Sequence, residues 1–251
     1  MKRLMMFGAA LVLGMTLIVR PAVAQMNSIP VYFNPKSGTG LMVAVDLGRG
    51  VNDESGKNTA AAFRTALGIG PVTIGGGVGI VNPDQGGTVG RKSQTQYMGN
   101  FAMRVFGGGL LPVSISLQGG VGVLEISDIN TKIVTVPVGL GIGFSIPTPG
   151  FSFDPWIAGR YTFVRTKDAT FPVAATANQN SFGMSGGLNF NFLMGLGFHV
   201  AADWQKNPLK VVTSGPGTLT VSESKPFVMS IGLNYTFRIP GLPGVPMVPG
   251  I

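Results

Sequence analysis

The chain has no cysteine, one histidine and few charges. Without cysteine there can be no structural disulfide and no Cys-ligated zinc. One histidine makes a poor metal site, and no cofactor or metal is expected. Charged residues are 11% of the sequence, against about 25% in an ordinary soluble domain. Beyond residue 24 there is no run of about 18 uninterrupted apolar residues, which excludes a spanning helix there. The formal charge of +8 falls to +5 once Lys2, Arg3 and Arg20 are set aside, leaving 15 basic and 10 acidic residues. These charges are scattered, so no nucleic-acid partner is expected.

What is present is a secretory layout followed by alternation. Lys2 and Arg3 open the chain, Leu4 to Val19 is an apolar run, and Ala22-Val23-Ala24 is a small-residue cleavage site. This pattern predicts a signal peptide over 1–24, cleaved after Ala24, and export to the envelope of a Gram-negative-type bacterium. Apolar content without helices then points to strands in lipid, because only helices and closed barrels satisfy their backbone there. The 39 glycines also argue against helices.

The clearest strand is 226–239. Phe227, Met229, Ile231, Leu233, Tyr235 and Phe237 fall on one face, with Val228, Ser230, Gly232, Asn234, Thr236 and Arg238 on the other. Similar period-two segments lie near 40–50, 60–70, 72–82, 95–106, 112–125, 132–146, 151–165, 180–193 and 196–206. Short connections alternate with longer, more charged ones, as in outer-membrane barrels. The expected fold is all-β: a transmembrane antiparallel up-and-down β-barrel of about ten strands over 40–239, with eight or twelve as alternatives. Residues 25–39 are read as a periplasmic N-terminal segment and 240–251 as a Pro-rich periplasmic tail.

Ser230, Gly232, Tyr235 and Phe237 resemble the C-terminal assembly signal of bacterial outer-membrane proteins: polar, Gly two positions on, then aromatic or apolar at five and seven. The resemblance implies recognition by the barrel-assembly machinery. Unlike the common pattern, the chain continues past Phe237. The layout is similar to the small outer-membrane β-barrel domain families, outer-membrane protein A-type and porin-like, over nearly the whole mature chain.

Parity turns Asp46, Arg64, Arg104, Asp154, Arg160, His199, Asp203 and Arg238 inward, as candidate lumen-lining residues. They can pair into a network that fills the interior, or line a watery path. The inward glycines, among them Gly75, Gly77, Gly79, Gly139, Gly141 and Gly143, either leave a hollow or relieve strand curvature. Gly139-x-Gly141-x-Gly143 lacks the Lys-Ser/Thr and the strand-to-helix context of a phosphate loop. His199 with Asp203 invites comparison with the omptin proteases, ten-stranded barrels with an Asp/His site near the outer rim. Here the histidine falls toward the periplasmic side, and no nucleophile or acid–base set accompanies it. No catalytic residue is therefore expected.

Tyr97, Tyr161, Trp204 and Tyr235 are expected in an aromatic girdle at the membrane interface. Outer-membrane lipids and lipopolysaccharide are the expected surroundings. Lys57, Arg91, Lys92, Lys167, Lys206 and Lys210 either meet lipopolysaccharide phosphates or are solvated loop charge. In the tail, Pro240, Pro243, Pro246 and Pro249 recur every third residue. Such an edge either fits a periplasmic partner or belongs to an extended tail. The expected function is a narrow porin-like channel for small solutes, or else a closed structural or adhesion barrel acting through its loops or tail.

Overall fold

Val, Ile, Phe and Thr at alternate positions favour extended backbone, and the glycines and asparagines between them disfavour helix. The computed structural model describes residues 29, 39–84, 92–108, 111–126, 130–168, 175–192, 194–213, 219–237 and 239. Residues 1–24, read as a signal peptide, most of 25–39, Arg238 and the tail 240–251 lie outside the described residues.

The strands are β1 (Gly40–Gly50), β2 (Thr59–Ile69), β3 (Val72–Asn82), β4 (Gln94–Gly107), β5 (Val113–Ile126), β6 (Thr131–Phe144), β7 (Ile146–Thr148), β8 (Phe151–Asp168), β9 (Ala175–Phe192), β10 (Leu196–Thr213), β11 (Leu219–Ser224) and β12 (Phe227–Phe237). Each of β1–β6 pairs antiparallel with its successor, skipping β7 between β6 and β8; β8, β9, β10 and β12 continue the series. β12 then pairs with β1, from Leu41 opposite Phe237 to Gly50 opposite Val228. Ten strands therefore close a ring, and β7 and β11 are short additions paired to β8 and β10.

The two rims differ. Tight connections join β2 to β3, β4 to β5 and β9 to β10 at one rim, where β1 also begins and β12 ends. Gly107 (φ +78°) and Gly108 (φ +85°) make the β4–β5 turn, just after a register shift between Arg104 and Phe106. Only glycine takes such φ values without strain. The other rim carries the longer connections. There Asn52 clamps the closing seam: its Nδ2 donates to the Lys225 carbonyl (2.7 Å) and its Oδ1 accepts from the Phe227 amide (3.0 Å).

Two differences from the sequence expectation concern this second rim. The intervals read as long loops, 166–179 and 207–225, contain the ends of β8, β9 and β10, each 18 residues long, and all of β11. Outside lipid a ladder needs only its backbone bonds, so Thr166 opposite Ala177 persists without an apolar face to announce it. An 18-residue strand tilted by about 45° rises about 40 Å, well above an apolar band of about 25 Å. β7, at the tight-turn rim, has no signature in the sequence because three residues carry no period.

Burial is inverted relative to a soluble protein. On β12 Met229, Ile231, Leu233, Tyr235 and Phe237 are exposed, while Val228, Ser230 and Asn234 are buried. Phe63, Ile74, Phe101, Val121, Leu140, Ile157, Met184 and Leu196 continue the apolar exterior around the ring. Inside, the buried set is rich in Ser, Thr, Asn, Gln, Asp and Arg. An apolar outside around a polar inside is the arrangement of a barrel solvated by lipid.

Tyr97, Tyr161 and Tyr235 are exposed on the outer face, and Trp204 is half-buried there. A denser aromatic cluster lies toward the tight-turn rim and is made of phenylalanine. Phe190 stacks on Phe198 (4.4 Å between ring centres), Phe153 tilts against Phe190 (5.1 Å), and Phe151 and Phe192 flank them. Cross-strand pairing of Phe153, Phe190 and Phe198 builds it, which segment-by-segment reading does not display.

The exterior generates a stability prediction. Ile231→Arg places a charge on the lipid face near the middle of β12. It should lower unfolding free energy in lipid vesicles by about 2–4 kcal/mol. A change near zero in urea titration would mean that this face does not meet lipid.

Candidate functional site: the barrel lumen

Three polar clusters stand out among the described residues of the interior. In the first, Arg64 on β2 grips Asp46 on β1 with both arms: Nε donates to Oδ2 and Nη2 to Oδ1, each at 2.6 Å. His199 on β10 brings Nε2 within 2.6 Å of the same Oδ1. Register explains the meeting. Asp46 and His199 both lie opposite Gly232 of β12, on its two sides. A Cβ on Gly232 would stand 2.5 Å from the imidazole and 2.6 Å from the carboxylate. Glycine is what lets these side chains meet over the intervening strand.

In the second, Arg160 on β8 forms a two-armed pair with Asp203 on β10 (Nη2 to Oδ2, 2.7 Å). Ser185 on β9, between them, accepts from Arg160 (2.6 Å) and donates to Asp203 (2.6 Å). The network climbs toward the long-loop rim. Gln205 accepts from Arg160 (3.3 Å) and donates to Ser181 (2.6 Å) and Asn207 (2.8 Å), and Asn207 donates to Ser224 (3.2 Å). Gly139 and Gly183 flank Arg160 on the adjoining strands, β6 and β9. A Cβ on Gly183 would meet the guanidinium carbon at 2.8 Å.

The third cluster lies toward the tight-turn rim. Asp154 accepts from Ser145 (2.6 Å), Ser152 (3.2 Å) and Asn191 (2.7 Å). Trp156 points inward as well, and its Nε1 donates to Asn189 (3.0 Å). Trp156 shares parity with Asp154 and Arg160, which is the signal that would have found it. Ser185, Gln205 and Asn207 share parity with Asp203 across the register, which is the same signal.

Asp46, Arg64, Asp154, Arg160 and Asp203 are buried in the lumen, and His199 is nearly so. His199 and Asp203, four residues apart on one face of β10, belong to different clusters: each acid–base contact runs across strands. Arg104 is half-buried beside the β4–β5 turn, with its guanidinium against Gly108. At Gly183 and Gly232 neither the hollow nor the curvature reading applies: the missing Cβ volume is taken by the Arg160 guanidinium at the first and by His199 and Asp46 at the second. At Gly77 and Gly139 a backbone carbonyl of the neighbouring strand, of Phe63 and of Gly159, stands nearest.

The interior is occupied at several levels. Gln96, Asp46, Ser116, Thr162 and Gln205 are all 0% exposed. They come from five strands, and β4 and β10 face each other across the ring. Eight-stranded barrels are filled by their own side chains, and ten strands enclose a little more. Among the described residues, no three His, Cys, Asp or Glu side chains converge on a common point.

A closed antiparallel ring with a polar, packed interior and an apolar exterior decides the architecture. This is a β-barrel of the bacterial outer-membrane type. No protein-family model and no curated protein matches the chain. Among solved structures, the barrel is similar to the beta domain of the Bordetella autotransporter BrkA: 11% identity, 80% of this chain and 100% of that one, TM-score 0.46. It is also similar to a bacterial polysaccharide outer membrane secretin: 7% identity, 79% of this chain and 66% of that one, TM-score 0.42. For the Escherichia coli outer membrane protease OmpT the values are 12% identity, 84% and 100% coverage, and TM-score 0.38. The barrel stands on its own strand pairing and burial rather than on these likenesses.

Removing one partner of a buried pair strands the other charge, which costs about 3–5 kcal/mol, whereas replacing both with apolar groups is often neutral. Asp203→Ala should therefore destabilise the barrel by that amount. Arg160→Met combined with Asp203→Leu should recover most of it. Denaturant unfolding in vesicles measures both, and equal losses in the two variants would contradict the pairing.

Proposed function

We propose that this chain is a closed, non-enzymatic outer-membrane barrel that works through what it presents at the long-loop rim, and is not a solute channel. The observation that supports this is the 0% exposure of inward side chains contributed by five strands. Wholly buried side chains contributed from five strands leave little room between them for a file of water. The arginines that a channel would use to select anions are instead neutralised by Asp46 and Asp203.

In this reading the tight-turn rim faces the periplasm, and the extensions of β8–β11 stand outside the cell as a platform for contact. Several charges around this rim are paired with one another. Lys57 meets Asp53 (2.6 Å), Lys132 meets Glu125 (3.2 Å), and Glu223 takes both Lys206 (3.0 Å) and Lys225 (3.1 Å). The last trio keeps one net positive charge, which suits a lipopolysaccharide phosphate. The barrel-assembly machinery would read the β12 residues Ser230, Gly232, Tyr235 and Phe237 during insertion.

Purified folded protein in planar bilayers should show no steady openings; reproducible unitary conductance would overturn the closed reading. Orientation has its own test. An epitope inserted between Asp168 and Ala175 should bind antibody on intact cells, while one between Gly70 and Pro71 should not. The reverse pattern would invert the assignment of the rims.

A further inference from the structure

The β5–β6 ladder carries a gap. Gly119 lies opposite Val138 and Gly122 opposite Thr135, yet Gly120 and Val121 do not pair with Pro137 and Val136. The register is the same on both sides, so no residue is inserted. Proline is the cause, because it has no N–H to give. The β6–β8 ladder runs unbroken through Pro137 opposite Thr162. Successive residues of a strand direct their backbone groups to opposite neighbours, so the missing donor is one that would have pointed at β5. It leaves the Gly120 carbonyl without its ladder partner. Pro137 is near the middle of β6, and Val136 and Val138 beside it are exposed on the apolar outer face. Lipid offers that carbonyl no donor from outside.

Two buried side chains at the same level also lack partners. Register puts Asn100 of β4 opposite Gly120, and Thr162 of β8 opposite Pro137. Asn100, Gly120, Pro137 and Thr162 are thus one inward row across four neighbouring strands. Asn100 is 8% exposed and Thr162 0%. Among the described residues, neither atom of the Asn100 amide nor the Thr162 hydroxyl has a hydrogen-bond partner. Buried polar groups without partners are rare, and several on one row point to something that completes them. We propose that this row is a water-binding site: two water molecules, held by Asn100 and Thr162, give the Gly120 carbonyl the donors that Pro137 cannot.

The spacing suits water. Neighbouring strands are about 4.8 Å apart, so a carbonyl between β5 and β6 stands about 7 Å from the backbones of β4 and β8. Two hydrogen bonds through one water reach about 5.6 Å, and the side chains cover the rest. A carbonyl has two lone pairs and can accept from both sides. The chemistry selects a neutral ligand, because the amide, the hydroxyl and the carbonyl are all uncharged. Arg160, the next inward residue on β8, is committed to Asp203 through two arms. Water accepts from Asn100 Nδ2 and Thr162 Oγ1 and still has protons for the carbonyl. Two molecules bound at the wall are not a file through the lumen, so the site goes beyond the closed-lumen reading without depending on it.

Asn100→Leu keeps the volume and removes the amide. In a dry wall it relieves a buried, unpartnered group and should leave the barrel as stable or more so. With water bound it removes a holder of that water. The unfolding equilibrium constant in vesicles should then rise about five-fold or more, the size of one buried hydrogen bond. Thr162→Val is the isosteric counterpart on β8 and should act in the same direction. Pro137→Ala restores the ladder donor, so in that background the loss from Asn100→Leu should shrink to less than about two-fold. Heat-modifiable migration shows which variants are folded; where Asn100→Leu is not, Thr162→Val is compared in the same two backgrounds. In the unsubstituted folded barrel, heteronuclear-edited ROESY should give a water cross-peak at the Asn100 side-chain amide. Stabilisation by both Asn100→Leu and Thr162→Val, equal losses with and without Pro137→Ala, or no water contact at that amide would each overturn the site. Conductance in planar bilayers would overturn closure and leave the water site standing.

Discussion

The ladder between β12 and β1 is the contact on which the rest depends. In lipid an unpaired backbone N–H or C=O has no water to turn to, so a sheet with two free edges is not a stable membrane structure. Ten paired positions from Leu41/Phe237 to Gly50/Val228 remove both edges. Closure then fixes the parity of every strand relative to one interior. That is why Asp46, Arg160 and Asp203, far apart in sequence, all end in the same space.

Once the interior is defined, its charges become the next problem. A guanidinium drawn from water into a narrow lumen must be both paired and accommodated. Pairing comes from Asp46 and Asp203, each held through two arms of its arginine. Accommodation comes from glycine on the neighbouring strand, where Gly183 and Gly232 leave the volume that the polar groups occupy. The glycine content that first argues only against helices thus has a local use. Each such glycine is the complement of a particular polar side chain across one hydrogen-bonded step.

Much of the barrel was readable because lipid enforces strict alternation. Met229 to Phe237 could be assigned to a face from the chain alone, and β1 and β3 begin and end where period-two reading puts them. Alternation carries no information above the membrane, so the outer ends of β8, β9 and β10 read as loops. It also gives facing without partners. That His199 meets Asp46, 153 residues away, depends on which strand closes against which and in what register.

The ladders are unequal in extent. β8 and β9, joined by a single hairpin connection, share eighteen paired positions, whereas the seam shares ten between residues some 190 apart in sequence. Hairpin contacts are gained at small loop-closure cost, and seam contacts only after nearly the whole chain is in place. Folding is therefore expected to begin with the tall hairpin and to finish at the seam. Until that last step β1 and β12 each expose an edge, and the barrel remains an open curved sheet. Asn52, bridging to Lys225 and Phe227, is placed to act as the latch on that final event.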